Sequence, residues 1–571
     1  MSEAKRSSSL SFLFIAGVLL ALVVVGTAAL TATGGRTSKL LGTVGSTLSS
    51  ADGRPVVMPA NPVGLAKGEE ARRPLVHLPK SYVDKLTKMK PAERQKLSMA
   101  LHAFTGEEVI DDSVSTDRSH FVGYGVNPFV ETKKDKYSTF AIDVDTGAYT
   151  IMRNYLTKRT ILPPKNSVRV EEYINYFDYE YAAPEESAFA VHTEAAPSPY
   201  RKNHLLLRIG VKGKEIEKAE RKPLCLTFVV DVSGSMSSRN RLPLVRQALS
   251  LLIDELQEGD RVAIAVYGSR GRKHLDYVEA TNKEKIKNSI NKLRTEGATN
   301  AEEGLKVAYE MAAANYSPDW ENRVILCSDG VANVGRTGPK AILAQIKKEA
   351  AKGIYLTTVG FGMGSYNDRM MEQLANKGNG IYAYVDSLKE AKRIFVEKMT
   401  GTMLTVAKDA KIQVEFSATT VKRYRLLGYE NRDVADKDFR NDAIDAGEVG
   451  AGHSATALYE LELTDELTDT LGTVRVRYQA PQGNKITEIQ EKISTDCISG
   501  SFEKASSAYR LAAIVAQYAE ILRQSDYAKG RTIEELIPQI DRVARELKHD
   551  ESITEFSNLI AKAAERELSA D

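Results

Sequence analysis

Cysteine is scarce in this sequence, and its scarcity excludes two kinds of stabilising site. The 571 residues include 3 cysteines, which are widely separated and never spaced as C-x-x-C: Cys225, Cys327 and Cys497. Three such residues cannot build a disulfide framework, and their spacing does not match a zinc site. Cys225 and Cys327 lie within apolar, strand-like runs, so we expect both thiols to pack as core side chains.

A strong charge of one sign is also missing. Lysine and arginine number 78 against 76 aspartates and glutamates, which gives a formal net charge of +2. A protein that binds a polyanion through its overall charge carries a large basic excess. The balance therefore predicts no nucleic-acid partner, and the 42% apolar and 27% charged residues are typical of a globular protein.

Motifs for nucleotide use and for covalent catalysis are absent. The sequence has no P-loop lysine motif, and GFGMGS at 360–365 lacks the G-x-G-x-x-G spacing of a dinucleotide site. It has no G-x-S-x-G elbow, and the lone His453 in GAGHSA has no assignable nucleophile or orienting partner. We therefore predict no nucleotide cofactor and no enzymatic activity.

One long apolar run lies near the N-terminus. Lys5 and Arg6 precede the uncharged stretch LSFLFIAGVLLALVVVGTAAL, residues 10–30, which is long enough to cross a bilayer as a helix. Basic residues ahead of the run favour an N-terminus on the cytoplasmic side of the membrane and the rest of the chain on the opposite side. Small residues after the run leave cleavage as a signal segment open. Residues 1–32 thus predict an extracytoplasmic protein of the cell envelope, either anchored or released.

Composition and periodicity divide the rest of the chain into four parts. Residues 33–130 are rich in Gly, Ser, Pro, Lys and Glu, which predicts a low-complexity tether with one helix near 91–104. Residues 131–221 contain strand-like and helical segments that lead into a central domain at 222–402. A β-rich and then helical domain follows at 403–571.

The central domain alternates near-continuous apolar strands with amphipathic helices. In its first helix the apolar residues recur on one face: Val245, Ala248, Leu249, Leu252 and Leu256. Strands that are apolar throughout are buried on both sides. The alternation predicts an α/β fold, with a mostly parallel sheet and helices on both faces.

Strand-like alternation replaces helices after residue 405, and helical spacing returns in the last segment of the chain. The alternating part predicts a β-sandwich that flanks the central domain, followed by a C-terminal helical segment. We predict that strands near 189–213 and 411–494 form one sandwich, into which the central domain is inserted.

The stretch FVVDVSGSMSSRN ends an apolar strand with alternating oxygen-bearing side chains. Asp231 lies at the carboxyl end of the strand, and Ser233 and Ser235 follow in the loop. Two later loops supply more oxygens, Thr299 in EGATNAEEG and Asp329 in LCSDG. In a parallel α/β sheet these loops are expected at one edge, where ligands bind.

Carboxylates and hydroxyls without histidine or thiolate suit a hard divalent cation. Held mainly by neutral hydroxyls, such an ion keeps an open position for an outside carboxylate. The alternative is that each residue has a local role, with Ser235 as a helix N-cap, Thr299 as a loop hydroxyl and Asp329 in a type I turn. In IDVDTGAY, Asp143 and Asp145 lack following serines, and we expect a structural role for them, with a minor cation site as the alternative.

The strings DVSGSM, GATN and CSDG resemble the metal-ion-dependent adhesion site of von Willebrand factor type A (VWA) domains, over about 224–402. The resemblance implies a Rossmann-like fold that holds Mg²⁺, Mn²⁺ or Ca²⁺ at the top of the sheet. It implies the following ligands: Ser233, Ser235 and Thr299 in direct contact, and Asp231 and Asp329 usually through water. Ala298 departs from the pattern, because many members have a second glycine there.

The flanking segments resemble a bacterial family in which a VWA domain lies between an N-terminal segment and a characteristic C-terminal domain. The resemblance rests on these strings: STFAIDVDTGAYTIMRNYL, VRVEEYINYF, LLGYENR, DAGEVGAGHSATALYEL and YRLAAIVAQYAEILRQSDYA. It implies no enzymatic activity.

Together these features predict a metal-dependent protein–protein interaction or adhesion module of the cell envelope. A partner protein would supply an Asp or Glu carboxylate to the divalent cation, with Mg²⁺ as the first choice. The alternative is a structural or assembly factor of an envelope complex, in which the ion only holds the fold together. A hydrolase that uses metal-bound water is a third and minor alternative.

Overall fold

The structure is a computed structural model that describes these residues: 119, 121–142, 144–330, 339–363, 366–442, 444, 446–481 and 485–568. The predicted membrane segment 10–30, most of the predicted tether and its helix near 91–104 lie outside them. Within these residues, no helix has both the length and the apolar character needed to cross a membrane.

The strands of the described residues form three sheets. In chain order they are β1 (Val130–Glu131), β2 (Tyr137–Ala141), β3 (Phe189–Pro197), β4 (Leu205–Gly213), β5 (Leu224–Asp231), β6 (Arg261–Tyr267), β7 (Gly271–Glu279), β8 (Glu321–Ser328), β9 (Ile354–Phe361), β10 (Tyr382–Val385), β11 (Thr405–Phe416), β12 (Val421–Leu427), β13 (Gly447–Gly450), β14 (Ser454–Leu463), β15 (Thr470–Gln479) and β16 (Ile486–Ser494). The strands of the central domain are β5 to β10.

Helices connect the strands of the central domain and complete the chain. In chain order they are α1 (Gly147–Asn154), α2 (Val170–Ile174), α3 (Leu242–Glu255), α4 (Lys283–Asn291), α5 (Ala301–Ala314), α6 (Pro339–Ala350), α7 (Asp368–Lys377), α8 (Leu388–Lys392), α9 (Met399–Met403), α10 (Ser507–Leu522), α11 (Ile537–Glu546) and α12 (Glu551–Leu568). A π-helical turn, Arg393–Glu397, lies between α8 and α9.

The central sheet has the strand order β10-β9-β8-β5-β6-β7. Its strands from β10 to β6 are parallel, and β7 pairs antiparallel with β6. All 8 residues of β5 are buried, as expected for a strand covered on both sides. Because β6 and β8 lie on opposite sides of β5, the carboxyl ends of these strands frame a crevice.

Helices cover both faces of this central sheet. One core joins α3 to the sheet and includes Val245, Leu249 and Leu252. The core on the other face includes Leu305 of α5 and Leu374 of α7. This arrangement confirms the predicted α/β class, a Rossmann-like and mostly parallel sheet with helices on both faces.

The other two sheets pack face to face as a β-sandwich. One has the order β1-β12-β14-β4-β3 and the other β13-β11-β15-β16, with β2 also paired to β11. Their inner faces share one core, with Leu207 and Ile209 in the first sheet and Val414 and Val474 in the second. β4 precedes the central domain and β14 follows it, and the two pair antiparallel. This pairing confirms that strands from both sides of the central domain build one sandwich.

The C-terminal helices pack against the segment that precedes β3. Tyr149 of α1, Tyr173 of α2 and Tyr518 of α10 belong to one core with Phe556 of α12. The ring centroids of Tyr518 and Phe556 lie 5.5 Å apart in an edge-on arrangement, a favourable geometry for aromatic pairs. The predicted C-terminal helical segment is therefore present, and it shares its core with residues from the N-terminal side.

A buried arginine of α1 joins this helical layer to the central domain. Arg153 donates from Nε to Asp386 Oδ2 at 2.8 Å and from Nη2 to Glu390 Oε2 at 2.7 Å. Its Nη1 also lies 3.3 Å from Glu555 Oε2 on α12. Burial acts to raise the pKa of Glu390, but the guanidinium groups of Arg393 and Arg153 outweigh burial and lower that pKa to about 2.

Candidate metal centre

The five predicted oxygen-bearing residues come from three loops at the carboxyl edge of the central sheet. β5 ends at Asp231, β8 ends one residue before Asp329, and α5 begins two residues after Thr299. Gly234 N donates to Gly297 O at 3.1 Å. The structure therefore holds the loop after β5 against the loop that leads into α5.

Asp231 is fully buried at the end of β5. Its Oδ1 accepts a hydrogen bond from Ser233 N at 2.8 Å, and its Oδ2 accepts one from Ser328 Oγ at 3.0 Å. Burial raises the pKa of this carboxyl to about 6, and the negative charge of Asp329 adds to the rise, while the hydrogen bonds oppose it. A desolvated carboxylate near a second carboxylate favours the approach of a cation.

The two serines after β5 place their hydroxyls side by side. Ser233 Oγ and Ser235 Oγ lie 3.0 Å apart, with Ser233 buried and Ser235 exposed. A short 3₁₀ turn, Gly234–Ser237, follows Ser233. The alternative role of Ser235 as a helix N-cap is wrong, because the next α-helix begins only at Leu242.

Thr299 is half-buried in the loop that leads into α5. Ser269 holds this loop, since its Oγ accepts a hydrogen bond from Ala298 N at 3.0 Å. Gly297 has a φ of +63°, and a Cβ there would collide with Ser269 Oγ, so this position requires glycine. Ala298 has no positive φ, so the alanine that replaces a second glycine brings no backbone strain.

Asp329 follows β8 and is only 8% exposed. Its Oδ2 makes no hydrogen bond to any described residue. The Nη1 of Arg241 lies 2.9 Å from that oxygen as an ion pair, without hydrogen-bond alignment. A buried carboxylate oxygen without a hydrogen bond costs about 1–3 kcal/mol. Asp329 therefore retains an acceptor position for an ion.

Arg241 is a functional candidate that the sequence patterns did not identify. Its Nη1 donates to Ser235 O at 2.5 Å and its Nη2 donates to Met363 O at 2.7 Å, so the guanidinium lies between two loops of the site. Gly362 makes room for it, because a Cβ at that position would collide with the arginine side chain. A cationic residue just before α3 interacts unfavourably with the positive end of the helix dipole. This unusual placement was the one sequence feature that hinted at a role for Arg241.

The donor set fits a divalent cation that prefers oxygen ligands. It consists of two carboxylates and three hydroxyls, and the described part of the chain contains no group of three or more His, Cys, Asp or Glu side chains that could hold a metal ion. Mg²⁺, Mn²⁺ and Ca²⁺ take oxygen ligands of this kind. The desolvated Asp231 provides negative charge for such an ion to neutralise, and Asp329 Oδ2, which has no hydrogen bond, provides more if the ion displaces its pairing with Arg241.

Other residues noted in the sequence lie in structural surroundings. Asp145 accepts hydrogen bonds from Tyr382 N at 2.9 Å and from Arg432 Nη2 at 3.0 Å, which agrees with its expected structural role. Asp143 and the last two residues of GFGMGS lie outside the described residues. The three cysteines are free thiols, and the two that lie in β5 and β8 are buried, as predicted.

Family models match most of the described chain. The von Willebrand factor type A domain matches residues 226–397, and a model described as von Willebrand factor matches 115–208. A model described as the C-terminal part of uncharacterized protein YfbK matches 401–471 and 462–565. Domains of the VWA type are generally protein-interaction modules.

Individual proteins similar to this chain include a solved structure and curated relatives. The solved structure of a von Willebrand factor type A protein from Catenulispora acidiphila is 15% identical, covers 66% of this chain and 90% of its own, and has a TM-score of 0.39. Uncharacterized protein sll0103 of Synechocystis sp. is 26% identical over 50% of this chain and 69% of its own. Uncharacterized protein YfbK of Escherichia coli (strain K12) is 35% identical over 437 residues, which are 72% of this chain and 75% of that protein. This chain therefore belongs to the YfbK family of bacterial proteins that contain a VWA domain.

Proposed function

We propose that this protein is a cell-envelope interaction module that binds a carboxylate of a partner protein through a divalent cation. The side chains that would hold the cation are Asp231, Ser233, Ser235, Thr299 and Asp329. The observation that carries the proposal is that two carboxylates with little exposure meet at one sheet edge: the desolvated Asp231, and Asp329, whose Oδ2 has no hydrogen bond and is paired with Arg241 alone. Mg²⁺ is the first choice, with Mn²⁺ and Ca²⁺ as alternatives.

The charge of the donor set explains why a carboxylate is the expected partner group. A cation bound here supplies an electrophilic position for one further oxygen ligand. Two carboxylates neutralise a divalent ion without any excess of negative charge, so an Asp or Glu of a partner is not repelled by the site. The proposal involves no covalent step, in agreement with the interaction role that is general among VWA domains.

The location and domain order extend the proposal. We propose that residues 10–30 anchor the chain in a membrane, or are cleaved with residues 1–32, and that the tether is the part of 33–130 before residue 119. The end of that range belongs to the fold, since Asn127 hydrogen-bonds to Gly428 and Val130 lies in β1. Residues 131–221 and 403–571 would then present the binding domain at 222–402 outside the cytoplasm. The basic Lys5 and Arg6 ahead of an uncharged run support this orientation.

Titration calorimetry of Mg²⁺ and Mn²⁺ into the purified full-length chain tests the metal site. We expect saturable heat for one site in the wild type and its complete loss in Asp231→Ala, because that variant removes a charged donor. Asp276→Ala is the matched control, since this aspartate lies on β7 with a side chain that is 69% exposed. Equal heats for wild type and Asp231→Ala would refute the site.

Partner capture separates an interaction role from a purely structural one. Immobilised wild type is expected to retain an envelope protein in Mg²⁺ and to release it in EDTA, whereas Asp231→Ala retains none. If EDTA instead lowers the melting temperature while capture is unchanged, the ion stabilises the fold and the assembly-factor alternative is correct.

Replacing Arg241 with glutamine is expected to tighten Mg²⁺ binding about tenfold, which corresponds to about 1.4 kcal/mol. Its guanidinium is 14% exposed and lies 2.9 Å from Asp329 Oδ2, so its charge opposes a cation with little screening by water. Calorimetry at constant ionic strength measures the change. Arg239→Gln, an exposed arginine of the same loop, is the control. Unchanged or weaker Mg²⁺ binding in Arg241→Gln would show that the guanidinium does not compete with the ion.

A further inference from the structure

Three neighbouring strands of the central sheet each end in a polar residue. The last residues of β6, β5 and β8 are Tyr267, Asp231 and Ser328. Asp231 pairs with Tyr267 in the parallel register of β5 and β6. On the other side of β5, Val230 pairs with Cys327, so Ser328 is the next residue in line. The three residues therefore form one row at the carboxyl edge of the sheet, where the proposed metal centre lies.

All three side chains of this row lie on the same face of the sheet. Side chains alternate between the two faces along a strand. Asp231 therefore shares the face of Val229, and Ser328 shares the face of Leu326. Val229, Leu326 and Tyr267 all belong to the core that α5 and α7 cover. Tyr267 and Ser328 thus flank Asp231 on that face.

Packing holds the Tyr267 ring in this place. The residue is fully buried, and its backbone oxygen accepts a hydrogen bond from Val232 N at 2.8 Å. Gly304 of α5 lies directly on the ring, since a Cβ at that position would come within 2.5 Å of the ring carbon Cδ1. Helix α5 therefore fixes the ring against the sheet.

The hydroxyl of Tyr267 makes no hydrogen bond, although two polar groups lie near it. Its Oη is buried, and no described side chain or backbone group is aligned to bond with it. Burial raises the pKa of Tyr267 well above its ordinary value, the negative charge of Asp231 raises it further, and the neighbouring Ser328 hydroxyl lowers it. The hydroxyl is thus close to both groups and aligned with neither. A buried hydroxyl in this state is unfavourable.

Asp231 is the neighbour that can use a further donor. Its carboxylate accepts one hydrogen bond from Ser233 N and one from Ser328 Oγ, whereas its two oxygens offer about four lone-pair positions. Ser328 already donates to Asp231 and accepts from Gly330 N at 3.2 Å. A carboxylate is also a stronger acceptor than a hydroxyl. Tyr267 is therefore placed to become a third donor to Asp231.

We propose that Tyr267 is a positioning residue of the metal centre, and that its hydroxyl donates a hydrogen bond to the Asp231 carboxylate when the centre holds its cation. This inference rests on the metal site proposed above. A bound cation requires the carboxylate in one orientation, and hydrogen bonds from neighbouring groups fix such an orientation. Because the metal-free structure lacks this hydrogen bond, the hydroxyl contributes to ion binding and not to the stability of the metal-free fold.

Titration calorimetry of Mg²⁺ into full-length Tyr267→Phe tests this proposal. Phenylalanine keeps the ring and removes only the hydroxyl, and we expect Mg²⁺ binding about tenfold weaker than that of the wild type. In EDTA the variant should melt at the wild-type temperature or above it, because it loses a buried hydroxyl without a hydrogen bond. A merely structural role would instead lower the melting temperature in EDTA and leave the affinity for Mg²⁺ unchanged.

Tyr309→Phe is the matched control. Tyr309 is 3% exposed and belongs to the same core, and its hydroxyl likewise has no hydrogen bond to a described residue. It lies on α5, roughly 12 Å along the helix from Ala301, the end of α5 that faces the metal centre. We expect Tyr309→Phe to bind Mg²⁺ with the wild-type affinity.

The ultraviolet absorption of tyrosine gives a second readout. A phenol that begins to donate to a carboxylate absorbs at longer wavelength, so Mg²⁺ should shift the tyrosine band of the wild type and of Tyr309→Phe, and shift that of Tyr267→Phe less. If the wild type and Tyr267→Phe bind Mg²⁺ equally well, or if both tyrosine variants lose affinity alike, Tyr267 is not a positioning residue, while the metal site stands. If the wild type binds no Mg²⁺, both proposals are wrong.

Discussion

Asp231→Asn is expected to abolish Mg²⁺ binding and, in metal-free buffer, to make the protein more stable. The amide can keep both hydrogen bonds of the carboxylate, because its oxygen accepts from Ser233 N and its NH₂ group donates to Ser328 Oγ. The substitution removes a fully buried negative charge that lies near Asp329. A variant that loses Mg²⁺ binding and gains stability would show that the charge of Asp231 serves ion binding and not folding.

The gain in stability has a defined pH dependence. Asp231 has a folded pKa of about 6 against an ordinary value of 3.8, so the wild type loses stability as pH rises through that interval. The loss of stability is complete above the folded pKa. It amounts to about 3 kcal/mol, because each pKa unit between the unfolded and folded values corresponds to about 1.4 kcal/mol. Asp231→Asn lacks this titration. Its free energy of unfolding should therefore exceed that of the wild type by the full amount above pH 6, and the difference should vanish below pH 3.8.

Urea unfolding of the EDTA-treated full-length chain, on both sides of the interval, measures this difference. Asp276→Asn is the control for removal of a surface aspartate, and we expect it to unfold as the wild type does. If Asp231→Asn is less stable than the wild type above the interval, the carboxylate is stabilised by its hydrogen bonds, and the metal-free site carries no electrostatic cost.

Arg153→Met is expected to destabilise the full chain by about 3–5 kcal/mol, because it leaves the buried Asp386 carboxylate without a counter-charge and Glu390 with Arg393 alone. The arginine donates to Asp386 and Glu390, and its side chain is 4% exposed. Methionine fills most of the same space, so the effect reports the lost ion pairs and not a cavity. Urea unfolding followed by circular dichroism measures the loss.

A second substitution separates the ion pair from general damage to α1. Glu390→Gln removes one of the two buried charges that Arg153 pairs with most closely, so Arg153→Met combined with Glu390→Gln should lose less than the sum of the single variants. Lys158→Met changes an exposed residue shortly after α1 and should be neutral. Purely additive losses, or a loss below about 1 kcal/mol for Arg153→Met, would contradict a buried ion-pair network.

The alternation of apolar strands and helices was enough to predict the central sheet, because both of its faces are covered and its strands need apolar side chains throughout. The oxygen-bearing loops could be predicted for a similar reason, since the topology of a parallel sheet determines where its loops lie. Arg241 could not be predicted, because its contact with Asp329 depends on how two loops fold over each other.

The insertion of the central domain between β4 and β11 has a consequence for synthesis on the ribosome. Asn175 Oδ1 accepts a hydrogen bond from Thr456 N, 281 positions later in the chain, and β4 must likewise wait for β14. The sheet of the central domain needs no strand outside residues 224–385, so it can close before the sandwich strands that follow have been translated. The folded central domain then shortens the loop that the sandwich has to close, which lowers the entropic cost of pairing its strands. A variant that slows folding of the central domain is therefore expected to delay the sandwich as well.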